Sequence, residues 1–164
     1  MIAGPDLFDM VMFLGCLLAM FMSTMPKKFA ISVCLGVSLL GILINTADIY
    51  GLITIRMTFS LSGIVELLSA LGLILYSRAV INFKDRVFFM LMAMFLLCSS
   101  AINVIFIPIY LYTDYFTFGA YQAAFYSIAA LHVSVMLGYS DGIRTGIANI
   151  RGVWVRNYAH NFNR

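Results

Sequence analysis

Charged residues are scarce in this sequence. Only 10% of its 164 residues are Asp, Glu, Lys or Arg, whereas 63% are hydrophobic, and the mean hydropathy is +0.99. Soluble domains carry about 25% charged and roughly 45–50% apolar residues, so a chain of this length has too little polar surface to fold in water. Apolar stretches of roughly 18 or more residues separate the charges. The composition predicts a multi-pass integral membrane protein.

Cysteine and histidine are also rare, and their placement argues against the usual metal and disulfide sites. Cys16, Cys34 and Cys98 fall inside apolar runs without a CxxC pair, which indicates neither a disulfide framework nor a zinc site. We interpret them as small apolar fillers, and the 11 methionines as adaptable packing. His132 has no second intramembrane histidine with which to hold a haem, and we interpret it as a packing residue bonded to a carbonyl or a tyrosine. The sequence predicts no metal and no cofactor.

Catalytic and phosphate-binding signatures are missing. The sequence contains no GxxxxGK[ST], HExxH or GxSxG motif and no cluster of Asp, Glu and His, so it lacks the residue patterns that those chemistries require. Its serine-rich helix faces have no base within reach. The net charge of +3 is accounted for by membrane topology alone, so no nucleic-acid-binding surface is indicated. We expect a protein that is not an enzyme and does not bind nucleic acid.

Five apolar runs are long enough to cross a hydrocarbon core of ~30 Å. The first follows an acidic rather than a basic N-terminus and carries no cleavage motif, so we interpret it as a retained span. The predicted fold is an all-α bundle of five transmembrane helices over residues 1–140, followed by a short basic amphipathic segment over 141–164. The predicted spans are about 8–25, 29–48, 57–77, 87–109 and 117–139.

The basic residues alternate between successive connections. If the N-terminus lies outside, nine of the ten basic residues fall on one side of the membrane and only Arg56 falls on the other. Lysine and arginine bias sets the orientation of such chains, so we predict that the N-terminus is outside and the C-terminus is cytoplasmic. This bias does not distinguish an inner or plasma membrane from an organelle membrane or a viral envelope.

Glu66 lies in the middle of the third predicted span. A charged side chain at the bilayer centre costs at least ~2.5–3.5 kcal/mol, so we expect Glu66 to be largely neutral and to face the bundle interior. Ser99, Ser127 and Cys16 are predicted at similar depths. Its neighbours at helical spacing are all small, as on a close helix-packing face: Ser62, Gly63, Ser69 and Ala70.

Small and polar side chains recur at helical spacing on other predicted spans. On the second and fourth spans, Asn45, Asp48 and Asn103 are interpreted mainly as interhelical hydrogen-bonding residues near the outer interface. The small residues predict further close packing faces. They are Gly41 on the second span and Ala120, Ala123, Ala124, Ser127 and Ala130 on the fifth.

The segment 141–164 carries apolar residues at helical spacing with arginines between them. It predicts either an interfacial helix on the cytoplasmic leaflet or a basic tail that docks on a partner, and both alternatives remain open. The residues assigned to membrane-surface contact are Arg144, Arg151, Trp154 and Arg156.

Three functions fit these patterns. The leading hypothesis is a non-enzymatic subunit of a membrane complex that packs, within the lipid bilayer, against copies of itself or other membrane proteins. The second is a component of a proton or cation channel or transporter, with an ion site formed by Glu66, Asn45, Asp48 and Asn103. The third is a viral or phage membrane-remodelling protein, a fusion or lysis factor, that acts through the segment from 141 onward.

Overall fold

The described part of the chain folds into five α-helices, and no strand occurs within it. The structure is a computed structural model that describes residues 4–112, 115–142 and 145. The prediction of an all-α fold is confirmed. The helices differ from the predicted spans by a few residues at their ends, and the longest begins earlier and ends later than expected. They are α1 (Gly4–Met22), α2 (Lys27–Ile49), α3 (Ile55–Ser77), α4 (Phe83–Tyr112) and α5 (Tyr115–Gly138).

Three of these helices are long and apolar enough to cross a membrane. They are Lys27–Ile49, Ile55–Ser77 and the part of α4 from Phe83 to Ile105, while Met10–Met22 and Ala123–Gly138 are shorter apolar helices among the described residues. Large hydrophobic side chains are exposed on the outside of every helix, for example Leu14, Leu43, Leu68, Met94 and Leu131. An exterior of this kind fits a lipid environment better than water.

The turn between α2 and α3 shows how the sequence reverses the chain within a few residues. Gly51 adopts a left-handed φ of 69°, which a residue without a Cβ adopts at no steric cost. Its N–H bonds to the Asp48 carbonyl oxygen at 2.9 Å, and the N–H of Leu52 bonds to that of Ala47 at 2.9 Å. This pair of bonds is a Schellman motif, which satisfies the last carbonyl groups of α2.

The helices form a closed ring in which each packs against the next and α5 returns to α1, while α2 also contacts α4 across the centre. α1 and α5 lie close together at Gly15, where an added Cβ would lie 2.6 Å from Val133 Cγ2. The main core lies among all five helices, and α3 contributes Ala70 and Leu73 to it. Its fully buried side chains include Cys16, Ile31, Phe88, Phe89, Met92 and Met136.

Candidate functional site

Glu66 joins α3 to α4 through both of its carboxyl oxygens. The Ser99 hydroxyl donates to Oε1 at 2.5 Å, and Asn103 Nδ2 donates to Oε2 at 2.9 Å. One turn away, the Ser100 hydroxyl donates to the Gly63 carbonyl oxygen at 2.7 Å. All five residues are buried. These polar groups therefore satisfy one another between two helices.

The small residues of α3 allow this close contact. An added Cβ at Gly63 would lie 3.4 Å from the Asn103 Cβ, so the backbone of α3 lies directly against α4. Ala70, two turns further along, is fully buried, while Ser62 and Ser69 at the edges of this face are half-buried. The small-residue face of α3 is thus covered by another helix of the same chain.

The four residues of the predicted ion site lie on three helices, α2, α3 and α4. Glu66 and Asn103 are bonded directly. Asn45 and Asp48 lie in the last turns of α2 and are half-buried. The sequence placed Ser99 and Ser127 at the depth of Glu66, and of these Ser99 is its partner, whereas the Ser127 hydroxyl bonds to Ala123 O on its own helix at 2.8 Å.

The small-residue stripe of α5 lies on the outside of the bundle. Phe125, Ala129, His132 and Met136 form the buried side of this helix. Because those residues face the core, the small stripe is turned toward the surroundings, unlike the corresponding face of α3. Gly41 of α2 is half-buried, as is Ala124, and the exposed small residues of α5 are Ala120, Ala123, Ser127 and Ala130.

An ion-pair cluster ties three connections together at one end of the bundle. Lys27 Nζ lies 2.6 Å from Asp141 Oδ1 and 3.9 Å from Asp85 Oδ1. The backbone N–H and the hydroxyl of Thr24 both donate to Asp141 Oδ2. Hydrogen bonds from Lys27 and Thr24 lower the pKa of Asp141 from 3.8 to about 2. Sequence reasoning missed this cluster, because Lys27 and Asp141 are 114 positions apart.

His132 contacts sulfur atoms rather than a carbonyl or tyrosine oxygen. Its Nε2 lies 3.6 Å from Cys34 Sγ and 3.2 Å from Met92 Sδ, and its ring stacks on Phe95 with centroids 5.0 Å apart. Among the described residues, no group of three or more His, Cys, Asp and Glu side chains could hold a metal ion. Sequence reasoning missed this contact because it treated the cysteines, the methionines and the histidine separately.

The residues assigned to the membrane-surface tail, Arg144, Arg151, Trp154 and Arg156, lie outside the described residues. No protein-family model, curated protein or solved structure matches this chain.

Proposed function

We propose that this chain is a non-enzymatic integral membrane protein that serves as a subunit of an oligomeric membrane complex. In this proposal all five helices cross the bilayer, with the N-terminus outside and the C-terminus in the cytoplasm. The positive-inside distribution of lysine and arginine supports that orientation. The end of the bundle that carries Lys27, Asp85 and Asp141 would then lie at the cytoplasmic surface.

The observation that carries the proposal is the outward-facing small-residue stripe of α5. Small side chains on membrane helices allow another backbone to approach closely, and such faces are enriched at helix–helix interfaces. On α3 a face of this type is already covered by α4, whereas on α5 Ala123, Ser127 and Ala130 are exposed. An uncovered packing face of this kind supports a second copy or another membrane subunit as the missing neighbour.

Enlarging one residue of this stripe tests the proposal. We expect Ala130→Leu and Ser127→Leu to dissociate the complex that the wild-type chain forms in a mild detergent, because the larger side chain holds the neighbouring helix away. Size-exclusion chromatography with light scattering gives the mass of the protein component. Ala101→Leu is the matched control, since Ala101 is an exposed alanine on α4, and it should leave the mass unchanged.

Two results would contradict the proposal. One is a wild-type chain that purifies from its native membrane alone as a monomer. The other is a complex whose mass is the same in the wild type and both stripe variants. A loss of helix content in Ala130→Leu, measured by circular dichroism, would instead identify a folding defect, and Ser127→Leu then provides the independent test.

The contacts of Glu66 favour a structural role over the alternative of an ion site. Ser99 and Asn103 engage both carboxyl oxygens, so the burial of this acid is accounted for by hydrogen bonds to the neighbouring helix. Interhelical hydrogen bonds in membrane proteins contribute about 0.6 kcal/mol on average. These two bonds support a clamp between α3 and α4 that helps to present α5 in a fixed position.

A further inference from the structure

Three soft metal-ligand atoms meet in the core at the junction of α2, α4 and α5. Cys34 Sγ and Met92 Sδ lie 3.6 and 3.2 Å from His132 Nε2. The side chains are almost completely inaccessible, with exposed fractions of 1% for Cys34, 0% for Met92 and 2% for His132. A thiol of α2 and a thioether of α4 therefore both contact the same imidazole nitrogen of α5 in a buried interior.

The separations of these atoms suit a shared metal ion. Metal–nitrogen and metal–sulfur bonds of about 2.0 and 2.3 Å at trigonal or tetrahedral angles place the two ligand atoms roughly 3.5–3.7 Å apart. The distance from His132 Nε2 to Cys34 Sγ is 3.6 Å, and the distance to Met92 Sδ of 3.2 Å is within a few tenths of an ångström of that range. The distance of each sulfur atom from the imidazole nitrogen is therefore compatible with a shared ion.

Ligand softness and charge select the ion. Thiolate and thioether ligands favour Cu(I), and imidazole also binds copper. A thiolate with a neutral imidazole and a neutral thioether carries one negative charge, so a monovalent cation leaves the buried site neutral. A divalent cation would leave a net positive charge in an apolar core, at a high desolvation cost. We propose that Cys34, Met92 and His132 form a binding site for a soft monovalent cation, Cu(I).

Binding is an exchange of a proton for the metal. The Cys34 S–H bond breaks, its proton passes to the buffer, and the sulfur bonds to Cu(I) without any change in oxidation state. Phe95 stacks on the imidazole with an interplanar angle of 18° and so restrains the ring. One turn along α5, Met136 Sδ lies 3.8 Å from Cys16 Sγ, which extends the sulfur-lined region toward α1. The site does not depend on the proposed role in a complex.

A competition experiment with Cu(I) tests the site. The full chain in detergent is titrated anaerobically against a chromogenic Cu(I) chelator with ascorbate present. The number of copper ions bound per chain is measured directly. We expect one Cu(I) per chain at this site and a dissociation constant that rises at least roughly tenfold in Met92→Leu, because even the outer partners of metal ligands contribute 10–100-fold. Cys34→Ser should weaken binding further.

Matched substitutions outside the core distinguish Cu(I) binding at this site from incidental Cu(I) binding at exposed sulfur atoms. Met94→Leu and Cys98→Ser alter an exposed methionine and an exposed cysteine of α4, and both should keep the wild-type affinity. Bound Cu(I) should also raise the thermal midpoint of the wild type by more than that of Met92→Leu at the same metal concentration. The proposal is overturned by the absence of chelator-resistant copper in the wild type, by equal affinity in Met92→Leu and Met94→Leu, or by Zn(II) that binds through the same residues as tightly as Cu(I).

Discussion

Asn103 donates a hydrogen bond of 2.9 Å to Glu66 across the α3–α4 contact, although the two residues are 37 positions apart in the sequence. The same carboxyl group accepts from Ser99 one turn away. An acidic residue that is costly to bury alone is thus accommodated by two polar side chains on one face of the next helix. The acidic residue of α3 thus has matching polar residues on α4.

We predict that Glu66→Gln is tolerated. A glutamine can accept from Asn103 through its carbonyl oxygen and donate to Ser99 through its amide, so the free energy of unfolding should change by less than about 0.5 kcal/mol. Glu66→Leu removes both bonds and should cost about 0.6 kcal/mol or more, up to ~1.7 kcal/mol for each bond. Unfolding in mixed detergent micelles, followed by circular dichroism, measures both changes.

The same variant distinguishes the clamp from an ion pathway. If Glu66 carries protons or cations, a wild-type flux in proteoliposomes should be abolished in Glu66→Gln. We expect the wild type and Glu66→Gln to give the same flux, each measured against the same protein-free liposomes. A flux that only the wild type supports would refute the structural role and favour the channel hypothesis.

We predict that Gly15→Ala loosens the contact between α1 and α5. The new Cβ would lie 2.6 Å from Val133 Cγ2, and overpacking of this kind costs about 1–3 kcal/mol. Val133→Ala should restore part of that loss in the double variant, because it removes the atoms that clash. Gly36→Ala is the control, since nothing lies within 4 Å of an added Cβ there. Equal unfolding free energies for Gly15→Ala and Gly36→Ala would show that α1 and α5 do not meet at Gly15.

We predict that the ion-pair cluster makes the thermal stability depend on pH in the acid range. The pKa of Asp141 is lowered from 3.8 to about 2 in the folded chain, so its stabilising contribution is complete above pH 3.8 and is lost as the pH falls toward 2. For a partly accessible pair the contribution is about 0.2–1 kcal/mol. Asp141→Asn should therefore lower the midpoint at pH 6 and flatten the decline between pH 4 and 2.

Substitutions of two adjacent lysines provide a second test of the cluster. Lys27→Met removes the cation that lies 2.6 Å from Asp141 and should reproduce the effect of Asp141→Asn at pH 6. Lys28→Met removes the neighbouring charge and should leave the midpoint near that of the wild type. If both lysine variants have the same midpoint, the cluster does not stabilise this end of the bundle.

We predict that Tyr50 and Lys84 lie on opposite sides of the membrane. In a Cys98→Ser background, Tyr50→Cys should react with an impermeant maleimide added outside intact cells, because the α2–α3 turn is predicted to be extracellular. Lys84→Cys should react only after permeabilisation. Both residues are exposed, so accessibility in the folded chain does not limit labelling. Labelling of both positions from the same side would contradict the alternating topology.

The helices were predictable because apolar runs and the helix-terminating residues proline and glycine determine local structure. Pro26 and Gly51 mark the ends of helices in the sequence, and each stands at a helix boundary in the structure. The inward orientation of Glu66 followed from its small neighbours and from the cost of exposing a charge to lipid. Such arguments need only the spacing along one helix.

The contacts between helices were harder to predict, because helical spacing does not reveal which neighbour covers a face. Small residues form stripes on both α3 and α5, yet among the described residues only the stripe on α3 is covered by another helix. Likewise Cys34 and His132 are 98 positions apart, and a lone histidine with separate cysteines carries no recognisable spacing. The order of the helices around the ring decides both which small-residue stripe is covered and which helix brings His132 to Cys34.

The closure of α5 onto α1 also has a consequence for biosynthesis. The two helices are the first and the last of the described bundle, so the contact of Gly15 with Val133 forms only after the ribosome has made α5. Until then the inward sides of α1, α2 and α4 lack their last neighbour, and Cys16 and Cys34 have no cover from α5. The last of the described helices to be synthesised therefore closes the sulfur-rich interior.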